Sequence, residues 1–338
     1  MLIRWIVRGR RCGECGGWVP TDRLEQLCPA CLARLALGQW LEGPVGSESR
    51  GSLAAYEVLD EIAVGGMGMV FRAQHQPSKR FVALKVMAGP RLGDPRATRR
   101  FDAEVEAVAR LKHANIMEIR DFGQVDGLPF YVMDLAEGGT LSHRIHSQPP
   151  PPRQTARWLR DIAGGVHYAH QQCVLHRDLK PSNILLDAQG RPKIADFGIA
   201  GFLRGQFDDF PPGHVLGSPC YMSPEQAAGR WREVGVASDV YGLGAILYEA
   251  LTGRPPFGAR TVAATLRQVV ELLPIPPLEL HPETPGELEN MCLKCLEKDP
   301  ASRYPSARDL ADDLGRFLRS RESPGHRRGS SSRPQRAS

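Results

Sequence analysis

The sequence predicts an α+β fold with two lobes, in which a small antiparallel β lobe precedes a larger helical lobe. Three observations predict it. Strand-like segments separated by turns occupy residues 56–136. Apolar stripes with helical spacing dominate residues 137–318, and two Cys-x-x-Cys pairs lie within residues 1–42. At 338 residues the chain has room for such a two-lobed domain with a small appended segment.

Four strands are predicted in the first lobe. Tyr56 to Ala63 and Met69 to Ala73 flank the turn Gly65-Gly66-Met67-Gly68, and Phe81 to Met87 forms the third strand. Phe130 to Met133 reads as a buried strand. A glycine-rich turn between two strands lets backbone N–H groups approach phosphate oxygens without interference from side chains.

Helices are predicted from apolar residues that recur at spacings of three and four. A helix over Pro95 to Lys112 carries such a stripe at Phe101, Val105, Val108 and Leu111 or Lys112. After Pro149 to Pro152, a longer helix carries one at Ala156, Leu159, Ile162, Val166 and Ala169.

Two later helices raise alternatives of their own. Asp239 heads the apolar helix Val240 to Leu251, where its simplest role is a helix N-cap. Cys292 and Cys295 form a further Cys-x-x-Cys pair, but they fall in the helical pattern Leu288 to Leu296. That pattern favours buried helical cysteines over a second metal site.

The stretch His176-Arg177-Asp178-Leu179-Lys180-Pro181-Ser182-Asn183 carries the chemistry of the chain. Phosphoryl transfer to a hydroxyl needs a carboxylate to receive the hydroxyl's hydrogen bond, a cation near the moving group, and oxygen ligands for Mg²⁺. Asp178, Lys180 and Asn183 provide these three groups. Asp196-Phe197-Gly198 begins thirteen residues after Asn183 and adds a second metal-binding element, in which the ligand is a carboxylate.

These two elements resemble the catalytic and metal-binding loops of the eukaryotic-like serine/threonine protein kinases found in bacteria, and the resemblance extends over roughly residues 56–318. It implies the two-lobed protein-kinase fold, with a small lobe over 56–136, a large lobe over 137–318, and ATP between them. The implied reaction transfers the γ-phosphoryl group of Mg·ATP to Ser or Thr hydroxyls of protein substrates. The implied catalytic residues are Asp178, Lys180, Asn183 and Asp196, and Asn183 and Asp196 are the implied Mg²⁺ ligands.

The resemblance also implies a nucleotide site. Aligned on Val70, the family pattern G-x-G-x-x-G-x-V falls on residues 63–70, with Ala63 at the first glycine position. Lys85 matches the phosphate-binding lysine and Glu104 its ion-pairing glutamate, although Glu106 competes for that role. Met133 corresponds to the gatekeeper and Asp134 to Ala136 to the hinge. The implied ATP-binding residues are Ile62, Ala63, Val64, Gly65, Gly66, Met67, Gly68, Met69, Val70, Lys85, Glu104, Asp134 and Ala136.

Further positions of the large lobe follow from the same resemblance. Glu225, in Ser223-Pro224-Glu225, is expected to pair with Arg303, and Asp239 to hold the backbone of the catalytic loop. Lys180 favours Ser/Thr over Tyr as the acceptor, and Ser218 stands where the family shapes the acceptor site. The alternatives are an ATP-binding pseudokinase scaffold that acts through its N-terminal zinc ribbon, and a zinc-ribbon binding protein with a kinase-shaped platform. Lys85, Asp178, Asn183 and Asp196 are all present, which favours catalysis.

The segment between Asp196 and Ser223 has an unusual composition. Residues 199–217 contain no Ser, Thr or Tyr. By resemblance, Arg177 belongs to a basic pocket that receives a phosphorylated residue of this segment. Asp208 and Asp209 offer carboxylates that can replace part of a phosphate, or can be solvated loop charges. The sequence therefore predicts that the loop is ordered without phosphorylation in this stretch, either through Asp208 or Asp209 or through a partner.

The four N-terminal cysteines predict a zinc ribbon over residues 1–42. Cys12 and Cys15 form the first pair, and Cys28 and Cys31 the second. Four thiolates at this spacing can surround one tetrahedral Zn²⁺, whose binding would supply the folding energy of so small a segment. Two disulfides are the competing interpretation, disfavoured in a cytoplasmic chain. The ribbon shows no interleaved basic and aromatic patch beyond Arg8, Arg10 and Arg11. Its resemblance to short ribbons that precede some bacterial kinase domains implies a structural or docking module.

Composition limits the remaining choices. The formal net charge is +5, and residues 321–338 hold five arginines against one glutamate, so the rest of the chain is nearly balanced. A broad nucleic-acid face is therefore unlikely on electrostatic grounds. Residues 43–55 are predicted to be a linker and residues 319–338 a disordered basic tail. No apolar run is long enough to cross a bilayer and the first residues do not form a signal peptide, so a cytoplasmic protein is expected. The oligomeric state is left open.

Overall fold

The computed structural model describes residues 9–11, 18–20, 53–65, 68–87, 95–125, 128–147, 149–197 and 219–320. Two short strands, β1 (Gly9–Arg11) and β2 (Trp18–Pro20), pair antiparallel with Arg11 opposite Trp18. Several predictions lie outside the described residues. These are the four ribbon cysteines Cys12, Cys15, Cys28 and Cys31, the tip residues Gly66 and Met67, Gly198, the segment 199–218 and the tail 321–338.

A five-stranded antiparallel sheet forms the small lobe. Its strands are β3 (Tyr56–Gly65), β4 (Gly68–His75), β5 (Arg80–Met87), β6 (Ile119–Val125) and β7 (Leu128–Asp134), in the order β3-β4-β5-β7-β6. The predicted strands are present, each longer than predicted. Strand β6 was not predicted, because it is an edge strand that mixes charged residues and glycine with apolar ones.

Both faces of the sheet are covered, which explains why β5 and β7 are almost continuously buried. Val82, Leu84 and Val86 face one apolar cluster, whereas Ala83 and Met87 face the other. The second face packs against helix α1 (Pro95–Ala109) through the predicted stripe, whose residues Phe101, Val105 and Val108 are buried. The helix ends three residues earlier than predicted, and Leu111 is buried just beyond its end.

The large lobe is helical around one small hairpin. Its helices are α2 (Leu141–Ser147), α3 (Pro152–Gln171), α4 (Pro224–Ala227), α5 (Val236–Thr252), α6 (Val262–Glu271), α7 (Pro277–Leu280), α8 (Gly286–Cys295) and α9 (Ala307–Ser320). The hairpin pairs β8 (Ile184–Leu186) with β9 (Pro192–Ile194). Helix α3 starts with Pro152 at its first position, where a missing N–H costs nothing. Its predicted stripe is fully buried.

Helix α5 lies at the centre of the large lobe. It is apolar on all sides, and nearly every residue from Ser238 to Ala250 is buried, as expected for a helix inside a core. The helix begins at Val236 with Gly235 as its N-cap, so the N-cap interpretation of Asp239 is wrong. Cys292 and Cys295 lie buried on α8 as predicted, and burial raises the pKa of both thiols.

Within the described ranges, no helix combines the length and the apolar character needed to span a membrane.

Candidate active site

The catalytic loop, residues 176–183, is attached to α5 by one buried carboxylate. Asp239 accepts hydrogen bonds from the backbone N–H groups of His176 and Arg177, each at 2.8 Å, and its Oδ2 lies 2.8 Å from Nε2 of His170. Burial acts to raise the pKa of Asp239, but the hydrogen bond and charge of His170 bring the pKa below its ordinary value. An ionised Asp239 therefore fixes the start of the loop, as the resemblance implied.

His176 connects the catalytic loop to the strand end that precedes Asp196. Its Nε2 donates to the carbonyl oxygen of Ala195 at 3.0 Å, and its Nδ1 accepts from the backbone N–H of Asp178 at 3.2 Å. One donor and one acceptor define a neutral imidazole. Burial lowers the pKa of His176, which agrees with that neutral form. The ring also packs against Phe197, with ring centroids 4.7 Å apart.

Asp178, Lys180 and Asn183 converge on one point of this loop. The ammonium of Lys180 donates to Oδ2 of Asp178 at 2.8 Å. The side-chain amide of Asn183 donates to the backbone oxygen of Asp178 at 2.9 Å and to its Oδ2 at 3.2 Å. Because the Asn183 nitrogen makes these bonds, its side-chain oxygen is the atom left to act as a ligand.

Asp196 lies across from this loop and contacts the β lobe. Lys85 donates to its Oδ2 at 2.5 Å, and the hydroxyl of Tyr131 donates to its Oδ1. Burial acts to raise the pKa of Asp196, but Lys85 and then Tyr131 outweigh it, so the pKa of the carboxyl is lowered. The contact between Lys85 and Asp196 joins the two lobes at the predicted phosphate and metal positions.

A cavity of about 500 Å³ opens between the lobes and ends at these residues. Val70 and Ala83 line it on the β-lobe side, Leu185 lines it on the helical side, and Met133 lies at the strand end next to the hinge. The cavity is lined by Ile62, Ala63, Val64, Gly68, Val70, Ala83, Lys85, Met133, Asp134, Leu135, Ala136, Gly139, Thr140, Lys180, Ser182, Asn183, Leu185, Ala195 and Asp196. Most predicted ATP-binding and catalytic residues therefore share one cleft.

A second cavity, of about 610 Å³, lies on the opposite side of the hinge. Its walls are charged, and several of these charges pair with one another, including Arg120 with Asp134 at 2.9 Å. It does not include Lys85, Asp178 or Asp196. The smaller cleft is therefore the candidate active site: Lys85, Lys180, Asn183 and Asp196 line it, and Asp178 is hydrogen-bonded to Lys180 and Asn183.

The glycine-rich segment shows which positions demand glycine. Gly68 has a φ of +145°, and a Cβ there would lie 2.0 Å from the backbone oxygen of Val86. Ala63 lies on β3, paired with Val70 next to a register irregularity between Glu61 and Ala63, and its φ is not positive. An alanine is therefore compatible with this position, whereas a side chain at Gly68 is not.

Glu104 and Tyr131 are the two remaining residues of interest on the β-lobe side of the site. Glu104 is half-buried on α1, and its ion pair with Lys85 stays a prediction, whereas Glu106 is exposed and pairs with Arg110 at 2.6 Å. Tyr131 was missed by the sequence analysis. The available signal was its position two residues before Met133, on the same face of a strand.

The fold and the cleft define a protein of the two-lobed, nucleotide-binding kinase class. The chain belongs to the protein kinase family: the family model described as the protein kinase domain matches residues 56–313.

Curated relatives and solved structures agree with this assignment. The serine/threonine-protein kinase PknB of Mycobacterium leprae is 36% identical over 264 residues, which are 77% of this chain and 42% of the relative. PrkC of Bacillus subtilis is 38% identical over 264 residues, 77% of this chain and 40% of the relative. The chain thus spans about two fifths of the length of these relatives. The kinase domain of Mycobacterium tuberculosis PknI matches with a TM-score of 0.63 and 29% identity, over 80% of this chain and 99% of that one.

Proposed function

We propose that this chain is a serine/threonine protein kinase that transfers the γ-phosphoryl group of Mg·ATP to Ser or Thr hydroxyls of proteins. The observation that carries the proposal is that Lys85, Lys180, Asn183 and Asp196 line the end of one cleft. Asp178 accepts hydrogen bonds from two of them, Lys180 and Asn183. Relatives that carry the name serine/threonine-protein kinase support the same activity.

The residues at the inner end of the cleft fit the cofactors. Mg²⁺ prefers oxygen ligands and is held by few protein groups, and the Asp196 carboxylate and the Asn183 side-chain oxygen are such groups. Bound Mg·ATP would supply the phosphoryl group, and its Mg²⁺ would neutralise the negative charge that develops during the transfer. Lys85 contributes a cation beside Asp196, where the phosphates of the nucleotide would lie.

The outer part of the cleft fits an adenine base. Val70, Ala83 and Leu185 provide apolar walls, and the backbone of Asp134 to Ala136 runs along the edge of the cavity. Apolar walls with a few backbone donors and acceptors are typical of sites for flat ligands. We assign Met133 the gatekeeper position at the inner end of this hinge.

The reaction requires an acceptor hydroxyl to be positioned and its proton to be received. Asp178 receives the hydrogen bond of the incoming hydroxyl through its carboxylate. Lys180, 2.8 Å from Oδ2 of Asp178, places a cation beside the transferred group. Because the protein does little covalent chemistry in phosphoryl transfer, this positioning accounts for most of the catalysis.

A pseudokinase that only binds ATP is the second candidate. It is less well supported, because the phosphate-binding lysine, the acceptor-binding aspartate and both metal ligands are present, and they lie together. The test is autophosphorylation with labelled ATP and Mg²⁺, comparing the wild type with Asp178→Asn. The surface variant Asp312→Asn on α9 is the control, since Asp312 pairs only with exposed Arg308 among the described residues.

We expect the wild type and Asp312→Asn to become labelled with phosphate, and Asp178→Asn to remain unlabelled. Nucleotide binding without any label in the wild type would favour the pseudokinase.

A zinc ribbon at the N-terminus is a separate proposal. Strands β1 and β2 pair antiparallel with Arg11 opposite Trp18, and Cys12 and Cys15 fall between them in the sequence. This Cys-x-x-Cys pair, together with Cys28 and Cys31, would supply the four thiolate ligands of one tetrahedral zinc. A cytoplasmic location would keep these cysteines reduced and available to a metal, and would provide the ATP that the reaction consumes.

Metal analysis of the full chain tests the ribbon. About one zinc per chain is expected for a four-ligand site. The double variant Cys12→Ser/Cys28→Ser should lose it, whereas Cys292→Ser, in the buried core of the large lobe, should keep it. A wild-type protein without metal, in which the four N-terminal thiols titrate freely, would refute the ribbon.

A further inference from the structure

Tyr131 makes a contact with the candidate metal-binding carboxylate that the catalytic motifs do not require. Its hydroxyl donates to Oδ1 of Asp196, and Lys85 donates to Oδ2 at 2.5 Å. Tyr131 is only 1% exposed, and its hydroxyl reaches Asp196 at the end of the cleft from the buried side. Both oxygens of Asp196 are therefore held by donors from the β lobe.

The pairing of β5 with β7 explains why the two donors act together. Tyr131 lies directly opposite Lys85 in the antiparallel register. Side chains at directly opposite positions project from the same face of a sheet. The Lys85 ammonium lies 5.9 Å from the centroid of the Tyr131 ring, so both groups reach Asp196 from one side.

Asp196 needs such restraint, because its backbone conformation is costly and its carboxylate, whose side chain is 23% exposed, is largely withdrawn from water. Its backbone φ is +61°, in the left-handed region that residues other than glycine seldom adopt. A buried carboxylate without hydrogen-bond donors is strongly disfavoured. Lys85 compensates the charge, but a single donor leaves the carboxylate free to rotate. The second donor, on the other oxygen, removes that freedom.

We propose that Tyr131 is a positioning residue that fixes the Asp196 carboxylate in the orientation in which it receives Mg²⁺. The inference rests on the proposed kinase function and adds a residue to it. An ionised carboxylate has about four lone-pair sites. Tyr131 and Lys85 occupy two of them, one on each oxygen, and the remaining sites stay available to the metal.

The experiment uses the full chain and the variant Tyr131→Phe, which removes the hydroxyl and keeps the ring. Binding of a non-hydrolysable ATP analogue is measured by calorimetry over a series of Mg²⁺ concentrations, and phosphoryl transfer is measured over the same series. The Mg²⁺ concentration for half-maximal binding and for half-maximal transfer should both rise at least about fivefold, or roughly 1 kcal/mol. Affinity for the analogue without Mg²⁺ should change less than twofold, because Tyr131 does not line the cleft.

Tyr241→Phe is the matched control. Tyr241 is also fully buried, and its hydroxyl has no hydrogen-bond partner in the described part of the chain. Its Mg²⁺ dependence should equal that of the wild type. Tyr131→Met, a second replacement without a hydroxyl, should shift the Mg²⁺ dependence as Tyr131→Phe does, and thermal unfolding without nucleotide establishes that each variant is folded.

Three results would overturn the inference: an unchanged Mg²⁺ dependence in folded Tyr131→Phe, a rise in kcat on removal of the hydroxyl, or loss of folding in both Tyr131 variants. The last result would give the hydroxyl a purely structural role. A wild-type protein that transfers no phosphoryl group, and binds the analogue without any effect of Mg²⁺, would instead contradict the proposed function.

Discussion

Glu225 and Arg303 form an ion pair in the core of the large lobe, and its removal should destabilise the protein strongly. The two side chains are 0% exposed and make two parallel hydrogen bonds of 2.9 Å each. Ser238 donates to the same carboxylate at 2.6 Å. Arg303 also donates to three backbone carbonyl oxygens, those of Ala237, Glu297 and Lys298.

The substitution Glu225→Ala leaves the Arg303 cation buried without a counter-charge. The loss of one partner of a buried pair costs about 3–5 kcal/mol. For a domain of this size each kcal/mol lowers Tm by about 2–4 °C, so a decrease of roughly 6–20 °C is expected. Thermal unfolding followed by circular dichroism measures it.

Glu271→Ala is the control, since Glu271 forms an exposed pair with Arg267 at 2.8 Å on α6. An exposed pair of this type contributes about 0.5 kcal/mol or less. If Glu225→Ala lowered Tm no more than Glu271→Ala does, the account of the buried pair would be refuted.

The pH dependence of this effect has a definite sign. Burial acts to raise the pKa of Glu225, but hydrogen bonds from Arg303 and Ser238 bring the pKa below its ordinary value. A carboxyl with a lowered folded-state pKa stabilises the fold fully above the unfolded-state pKa, about 4.3 for Glu. That stabilisation is lost as the pH falls through the folded-state pKa. The difference in stability between the wild type and Glu225→Gln should therefore be constant near neutral pH and shrink below about pH 4.

Three further predictions concern the reaction. Lys85→Met should reduce phosphoryl transfer at least about 100-fold without a change in fold, because it removes a charge held at the phosphates. The control Lys79→Met, in an exposed turn of the same sheet, should leave the rate of transfer unchanged. Equal rates in the two variants would contradict the role of Lys85. Ala63→Gly should change the KM for ATP less than about tenfold, or roughly 1.4 kcal/mol, because Ala63 lies in strand β3 without a positive φ that would demand glycine. A larger change in the steady-state assay would mean that this position controls nucleotide binding. Phosphatase treatment should leave activity toward an added substrate intact, because residues 199–217 contain no hydroxyl side chain. This prediction would be contradicted if activity were lost on the treatment and returned with a phosphate on Ser218.

The sequence predicted the parts of the site whose residues lie close together along the chain. Asp178, Lys180 and Asn183 lie within one short loop, so their spacing alone places them together. Asp196 follows closely and also lies at the cleft. The pairing of Glu225 with Arg303 is confirmed as well, although only the resemblance connected residues so far apart in the chain.

Other features depend on tertiary packing and could not be predicted. The contact between Tyr131 and Asp196 requires the register of β5 against β7, which no single segment encodes. The role of Asp239 was open between two interpretations, because an aspartate near a helix start fits both. The structure decides it through hydrogen bonds to His176 and Arg177, more than 60 residues earlier in the chain.

The end of α1 also depends on tertiary contacts, because its apolar stripe continues to Leu111, which is buried without being helical.

The most direct test of the central claim is the identity of the amino acid that receives the phosphate. Purified protein is incubated with labelled ATP, Mg²⁺ and a generic protein substrate, and the labelled substrate is hydrolysed for phosphoamino-acid analysis. The account predicts phosphoserine or phosphothreonine in the wild-type reaction and neither product with Asp178→Asn. Equal amounts of these products from the wild type and from Asp178→Asn, or phosphotyrosine alone, would contradict it.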